Sequence, residues 1–428
     1  MIYSNPIKAN MIEFGTKVRK ELYLLDENLY FTNHGSYGAV PKPIQRKRLE
    51  LLEEIEKAPD AWFRVKSFKL WNSNRQSLAT FLKINVENLV LCENATDAIN
   101  SILKASTKNL TKNDAILAHE YTYAAVMNAL NYTVKYRYAP EDQISLYKVP
   151  CKYPIVSVHD VLNSYDLMCE KIIMQDKLNL SLVVLDHISS ATATLFPVRQ
   201  IISIIRKWES VQHSKINILI DGAHSIGQID IGLDTLDCDY YVSNLHKWFL
   251  SPRGCSFLFF KDENETFSLQ PNVISHGYGK DATRNFFERG TRDSSSWFLI
   301  DDCIDIYENV FGGLNKITEY SSKLLDEAVD MLVKSWGTCR ISMPKELEAP
   351  FMKLVKLPEL KRYKTEDDFN YRKTIENLMM DCYLKFNLIA CVVPIQGELF
   401  CRISSFVYND IKEFEALKEA ILKMNEEI

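Results

Sequence analysis

The sequence predicts an α/β fold: a large, mostly parallel sheet domain with helices on both faces, followed by a smaller α+β domain. Three observations predict it. Between about residues 88 and 260, short apolar runs of strand length alternate with helical runs, the pattern of a parallel sheet buried on both faces. Polar residues collect just past the ends of those runs, where open α/β sheets bind ligands. After Gly312 the alternation stops, and longer helical runs surround short strand-like segments.

Residues 1–35 read as an arm or short helix, 36–310 as the large domain and 311–428 as the small one. Asn88–Leu91 is a strand leading through Glu93-Asn94-Ala95-Thr96 into a helix that carries Ile99, Ile102 and Leu103. Ala115–Ala118 is the next strand, followed by a helix from Tyr123 to Leu130. Leu182–Leu185 ends in Asp186-His187 and Ile216–Ile220 ends at Asp221. Tyr240–Val242 and Cys255–Phe260 complete the set. In the small domain Leu314–Trp336 and residues 367–386 read as helices, Cys339–Met343 and Leu388–Val393 as strands, and Asp410–Met424 as an amphipathic helix.

Composition narrows the function. A chain of 428 residues holds two or three domains at roughly 150 residues each. Its 46% apolar and 25% charged residues are globular values. A net charge of −5 supplies no basic field for nucleic acid, and Arg46-Lys47-Arg48 reads as a solvated helix face. No apolar run reaches the length of a membrane span. The ten cysteines show no C-x-x-C pair and no metal-ligand spacing, so a disulfide-free intracellular protein without a metal is expected. Met1–Lys20 lacks a secretory apolar stretch. It mixes Lys8, Lys17, Arg19 and Lys20 with Glu13, so a cytoplasmic location, with a nuclear one also open, is favoured over a mitochondrial one.

The chemistry concentrates between Ile216 and Gly254. One strand ends in Asp221-Gly222-Ala223-His224 and a later one in Ser243-Asn244-Leu245-His246-Lys247-Trp248. Either residue alone reads as a turn aspartate or a surface lysine. Together, a carboxylate and an amine at neighbouring strand ends suit pyridoxal 5'-phosphate. The lysine forms the Schiff base, and the carboxylate keeps the pyridine nitrogen protonated, making the ring an electron sink.

Asp-Gly-Ala-His, Ser-x-x-His-Lys-Trp and Pro252-Arg253-Gly254 resemble the class V aminotransferase group of fold-type I pyridoxal-phosphate enzymes. The resemblance extends from Tyr30-Phe31-Thr32-Asn33-His34-Gly35-Ser36 to Cys401-Arg402-Ile403-Ser404. Asn94-Ala95-Thr96-Asp97-Ala98 and Asp186-His187-Ile188-Ser189-Ser190 look most like the isopenicillin N epimerase-like branch, which includes cysteine desulfhydrases and hercynylcysteine sulfoxide lyases.

The resemblance implies roles. Ala95 and Thr96 open a helix whose N–H groups and hydroxyl can hold a phosphate dianion, and Ser243 and His246 would contact the same phosphate. Gly290-Thr291-Arg292-Asp293 resembles a loop that reaches the phosphate from a neighbouring subunit, so a homodimer with shared sites is expected. Tyr123 is the expected ring stacked on the pyridine, with Tyr121 as competitor. His187 matches a position near the pyridine ring or the substrate, and His224 one that hydrogen-bonds the phenolic oxygen. Arg402 would take a small amino-acid substrate's α-carboxylate in a fork. Asn33 and His34 would line the substrate mouth.

Sequence alone leaves the reaction more open. Cys401 adjoins Arg402 and Cys391 sits in an apolar run, which argues against a persulfide-forming desulfurase. A carbon–sulfur β-lyase needs only Lys247 as base and a β-substituent that can leave, with pyruvate and ammonia as products. Hercynylcysteine sulfoxide is the preferred substrate, giving ergothioneine biosynthesis as the pathway. Its trimethylammonium group could meet Tyr37, Trp62, Phe63 or Tyr278. Cysteine desulfhydration with hydrogen sulfide release, epimerisation or racemisation, transamination, and an inactive interaction protein are the alternatives.

Overall fold

A computed structural model describes residues 12–136, 143–261, 269–363 and 368–426. The first eleven residues of the expected arm, including Lys8, and the first residue of the helix expected over 367–386 lie outside these segments. The arm carries a helix, Thr16–Leu22, and strand β1 (Tyr30–Phe31).

The central sheet has seven strands: β2 (Leu89–Cys92), β3 (Asp114–His119), β4 (Ser145–Val149), β5 (Asn179–Asp186), β6 (Asn217–Asp221), β7 (Tyr240–Asn244) and β8 (Ser256–Phe260). They lie in the order β2-β8-β7-β6-β5-β3-β4. Strands β3 to β7 pair in parallel, while β8 runs antiparallel to both β2 and β7. The strands read as unbroken apolar runs because both faces are covered. Leu117, Val183, Ile218 and Tyr241 enter one core, and Ile116, Val184, Leu219 and Val242 the other. β4 escaped the sequence reading: it is an edge strand, and Tyr147 and Lys148 interrupt its apolar pattern.

The C-terminal unit contains an antiparallel sheet in the order β11-β12-β9, made of β9 (Met352–Lys356), β11 (Val392–Ile395) and β12 (Glu398–Ser404). Leu324, Leu332, Leu388, Phe414 and Ile421 belong to its core, and the helices Gly313–Trp336 and Ile411–Glu426 supply much of it. Two expectations need correction. Cys339–Met343 is not a strand. Only Arg340 makes an isolated bridge, to Val355 of β9. The run Leu388–Val393 is two strands. β10 (Leu388–Ile389) pairs in parallel with β1 of the arm, and β11 pairs with β12. The chain changes sheets between them, which breaks the strand at Ala390-Cys391. This pairing ties the arm to the small unit and brings Asn33 alongside β12.

Candidate active site

The C-terminal ends of β5, β6 and β7 deliver Asp186, Asp221 and the one-turn helix Leu245–Trp248 to a single cavity of about 170 Å³. Lys247, Asp221, His224, His246, Ala95, Thr96 and Tyr123 all line it.

Lys247 is held by its backbone as well as its side chain. His34 Nε2 lies 2.7 Å from the Lys247 carbonyl and His34 Nδ1 lies 2.6 Å from the Tyr408 hydroxyl. A carbonyl can only accept, so Nε2 carries the proton and Tyr408 donates to Nδ1. Burial lowers the His34 pKa to about 3 and keeps the ring neutral. Gly38, at φ +64°, passes so close that a Cβ there would sit 2.1 Å from the His246 carbonyl oxygen. The Lys247 amine lies 2.9 Å from His224 Nε2. Burial lowers the amine's pKa and Arg402 lowers it further, while Asp221 and Asp186 oppose the shift.

Asp221 is buried, accepts from the Ala223 N–H at 2.9 Å, and has its pKa raised by burial and then by Asp186. Asp186 also lines the cavity, with Oδ2 3.4 Å from His119 Nε2. The opposite wall is the start of the helix Ala95–Ser106, capped by Asn94 accepting from Asp97 N–H at 2.9 Å. Asn244 Oδ1 accepts from Ala95 N–H at 2.9 Å, which leaves the Asn244 amide as a further donor at this helix end. His246 Nδ1 donates to the Cys255 carbonyl at 3.1 Å, and burial lowers its pKa to about 4.

Arg402, in β12, is buried behind the cavity wall. Its Nη1 donates to Ser190 O at 2.6 Å and Ser190 Oγ at 3.1 Å. Its Nη2 donates to Asn33 Oδ1 and Ser36 Oγ, both at 2.9 Å. Nε is buried without a partner. Ser36 and Ser190 themselves line the cavity, so the guanidinium stands one hydroxyl away from it.

Several expected site residues stand elsewhere. His187 does not reach the cavity. Its Nδ1 lies 2.8 Å from the Tyr241 hydroxyl, because side chains alternate along the strand end and Asp186 takes the facing position. Ser243 spends its hydroxyl on the Gly222 carbonyl and the Ile226 N–H. Asn244, three residues before the lysine, lines the cavity instead. His34 is fully buried at the lysine turn and not at a substrate mouth. Tyr121 packs edge-on against Tyr153, centroids 5.9 Å apart, while Tyr123 lines the cavity. Thr291, expected at a neighbouring subunit's site rather than its own, lines a separate cavity with Trp62, Phe63 and Phe298. Of the four aromatics expected near the substrate, only Tyr37 lines the lysine cavity, and Tyr278 is exposed at the surface. Sequence reasoning assigned no role to Asn244, Asp186, Ser36 and Ser190, although each lies within a motif quoted for a neighbour.

The donor set matches pyridoxal phosphate. Two buried carboxylates can face a cationic ring nitrogen, an imidazole and an amine stand together, and a helix start with an amide and a hydroxyl offers donors to a dianion. Among the described residues no group of three or more His, Cys, Asp or Glu is placed to hold a metal ion, and no helix is long and apolar enough to cross a membrane. Fold and site together define a fold-type I pyridoxal-phosphate enzyme. The chain belongs to the class-V aminotransferase family: the model of that family, Aminotransferase class-V, matches residues 155–417. It is 26% identical to a putative L-cysteine desulfhydrase 1 of Oryza sativa subsp. japonica, covering 95% of this chain and 86% of that protein. It is 24% identical to the hercynylcysteine sulfoxide lyase of Schizosaccharomyces pombe, covering 95% and 97%. The apo cysteine desulfurase of Thermococcus onnurineus NA1 superposes with a TM-score of 0.73 at 14% identity, covering 97% and 99% of the two chains. That last likeness shows the fold.

Proposed function

We propose that this chain is a pyridoxal-phosphate-dependent carbon–sulfur β-lyase that splits L-cysteine or a small S-substituted cysteine, with water, into pyruvate, ammonia and hydrogen sulfide or a thiol. The carrying observation is the shared cavity: Lys247, Asp221 and His224 line it, with Arg402 directly behind Ser36 and Ser190. Its relatives named as cysteine desulfhydrases support the same reading.

Pyridoxal phosphate, held by these residues, would supply the electron sink of the reaction. The chain supplies the rest. Asp221 would hold a proton on the ring nitrogen, and the Thr96 N–H and hydroxyl with the Asn244 amide would hold the phosphate, Ala95 and His246 lining the wall beside it. His224 would donate to the phenolic oxygen, and Tyr123 would pack against the ring. Arg402 draws the substrate carboxylate toward Ser36 and Ser190 and so fixes the Cα–H direction. Lys247, already biased to the free base by burial, takes the Cα proton. The sulfur leaves as thiolate.

No cysteine is among the residues lining the cavity. Cys401 is buried with its pKa driven far up, and the Cys391 carbonyl is tied to Arg402 N–H at 2.8 Å. This supports lyase chemistry over persulfide transfer. Hercynylcysteine sulfoxide is the second reading, favoured by exposed Tyr37 at the cavity and by the fission-yeast relative. In a homodimer, by the family resemblance, the Gly290-Thr291-Arg292-Asp293 loop would reach a second copy's site. Purified protein loaded with pyridoxal phosphate is expected to release pyruvate from L-cysteine or from the sulfoxide. Release from neither overturns the lyase reading, and the faster of the two names the substrate.

A further inference from the structure

Trp248 is fully buried directly after Lys247, and its indole Nε1 donates to His224 Nδ1 at 3.3 Å. The other nitrogen of that imidazole, Nε2, lies 2.9 Å from the Lys247 amine. One ring thus bridges a group that can only donate and an amine that can do either. An indole N–H has no lone pair to offer. His224 Nδ1 must therefore present its own lone pair, and a neutral imidazole then carries its proton on Nε2. Facing that N–H, the lysine nitrogen can only accept, which is the unprotonated amine. The opposite arrangement has an ammonium donating to Nε2, and it would place a proton on Nδ1 directly against the indole N–H.

We propose that Trp248 is a positioning residue that fixes His224 as the Nε2–H tautomer. Through that ring, Trp248 holds the Lys247 amine as a hydrogen-bond acceptor ready to take a proton.

The indole cannot turn away. His34 lies 4.7 Å from it, centroid to centroid, and the Phe351 ring meets it at 63° from 5.6 Å. On a third side a Cβ added at Gly35 would come 3.2 Å from Trp248 Cζ2. The charges around the amine do not settle its state by themselves. Asp221 and Asp186 at the ends of β6 and β5 favour the ammonium, while Arg402 of β12 and burial oppose it. His246, on the lysine's own turn, and His34, across from it, are held neutral by burial. The His224 tautomer adds a directional hydrogen bond that only the free base can satisfy. The same N–H would be available to an oxygen placed beside it, such as a cofactor's phenolic oxygen.

This rests on the hydrogen bonds of the site and not on the choice of substrate, and its first test needs no turnover. Nitrogen-15 histidine spectra of the full chain without cofactor, with His224 assigned by its loss in His224→Gln, are expected to show a single Nε2–H tautomer. Trp248→Phe should convert it to a mixture containing the Nδ1–H form. An unchanged tautomer in Trp248→Phe overturns the proposal, and so does an Nδ1–H form in the unmodified protein, which decides the matter if the variant does not fold. The second test is a double-mutant cycle. A glutamine at 224 has no tautomer to choose: with its oxygen turned to accept from the indole, its amide donates to the amine. Trp248→Phe should lower kcat at least about tenfold beside His224 and less than about threefold beside His224→Gln. Equal losses in both backgrounds mean that Trp248 only packs, and the proposal falls. Absence of turnover with every cysteine derivative would defeat the lyase reading while leaving the spectra to judge this one.

Discussion

Asp186 and Asp221 occupy the same register level on adjacent parallel strands, and both carboxylates reach one cavity floor. A lone buried carboxylate already resists ionisation, and a like charge beside it adds to that resistance. Asp221 must be ionised to hold a proton on the ring nitrogen. Asp221→Asn should lower kcat on the order of 10²-fold, the loss expected when a buried charge-assisted hydrogen bond is removed. Asp186→Asn should keep kcat within about tenfold. It should also move the acid limb of the kcat/KM profile to lower pH, because Asp221 then stays ionised further into acid. Steady-state profiles from pH 5 to 9 check both, and an acid limb moving upward in Asp186→Asn would refute the coupling.

Arg402 spends its terminal N–H groups on Ser190, Asn33 and Ser36, all neutral acceptors. An ammonium cannot reproduce that planar fork. Arg402→Lys should raise KM for the amino-acid substrate roughly 10- to 100-fold with a smaller change in kcat, as expected when the planar cation that orients the Ser36 and Ser190 hydroxyls at the cavity wall is lost. An unaltered KM would remove Arg402 from the substrate site.

How much of this was legible in the sequence follows from what each residue needs. Asp221, His224 and Lys247 were readable because strand ends are marked by apolar runs and their residue types are chemically specific. The failures share a cause. Ser243 and Asn244 are neighbours, as are His187 and Asp186, and at a strand end a one-residue step turns a side chain from the cavity to the opposite face. Spacing alone did not resolve that step. His34 was misplaced because its partners, Lys247 and Tyr408, lie 213 and 374 residues away in the chain. The broken strand at Ala390-Cys391 was hidden in the same way: the arm strand that captures β10 lies at Tyr30-Phe31.

Gly38 makes the backbone contact that closes the lysine turn. A Cβ there would stand 2.1 Å from the His246 carbonyl oxygen and 2.8 Å from that of Lys247, with φ at +64°. Both atoms belong to backbone and cannot swing aside. Gly38→Ala should cost on the order of 3 kcal/mol through overpacking and strain. It should weaken cofactor retention more than far-ultraviolet circular dichroism changes. Wild-type affinity for pyridoxal phosphate in this variant would contradict the contact.

Cys391 tests the choice between lyase and persulfide chemistry. It is half-buried, off the strand, and outside the set of residues lining the cavity. Cys391→Ser should leave pyruvate release from cysteine within about twofold, since surface and loop substitutions away from the chemistry change little. Loss of most activity, with trapped persulfide on the unmodified protein, would reverse the assignment.

Acid should unfold this protein for a reason centred on its site. His34 and His187 are held neutral with pKa values of about 3, His246 with one of about 4, and His224 lower still, each chiefly by burial. An unfolded histidine titrates near 6.5. Each depressed histidine therefore contributes stability that is complete above pH 6.5 and is lost as the pH falls toward its folded value. The two carboxylates that burial raises furthest work the other way. Asp221 and Glu413 are raised by burial, so between about pH 4.5 and 6.5 the folded state binds their protons and the unfolded state does not. Four protons gained on unfolding less two released leaves a net of about two, or roughly 2–3 kcal/mol lost per pH unit in that window. Urea titrations at pH 7.5, 6.5 and 5.5 should show the midpoint falling below pH 6.5. His34→Gln can still donate to the Lys247 carbonyl and accept from Tyr408 but cannot titrate, so it should flatten the slope by about one proton. A midpoint that stays level from pH 7.5 to 5.5 would mean that these rings are not held neutral, and the hydrogen-bond directions assigned to His34 and His224 would fall with it.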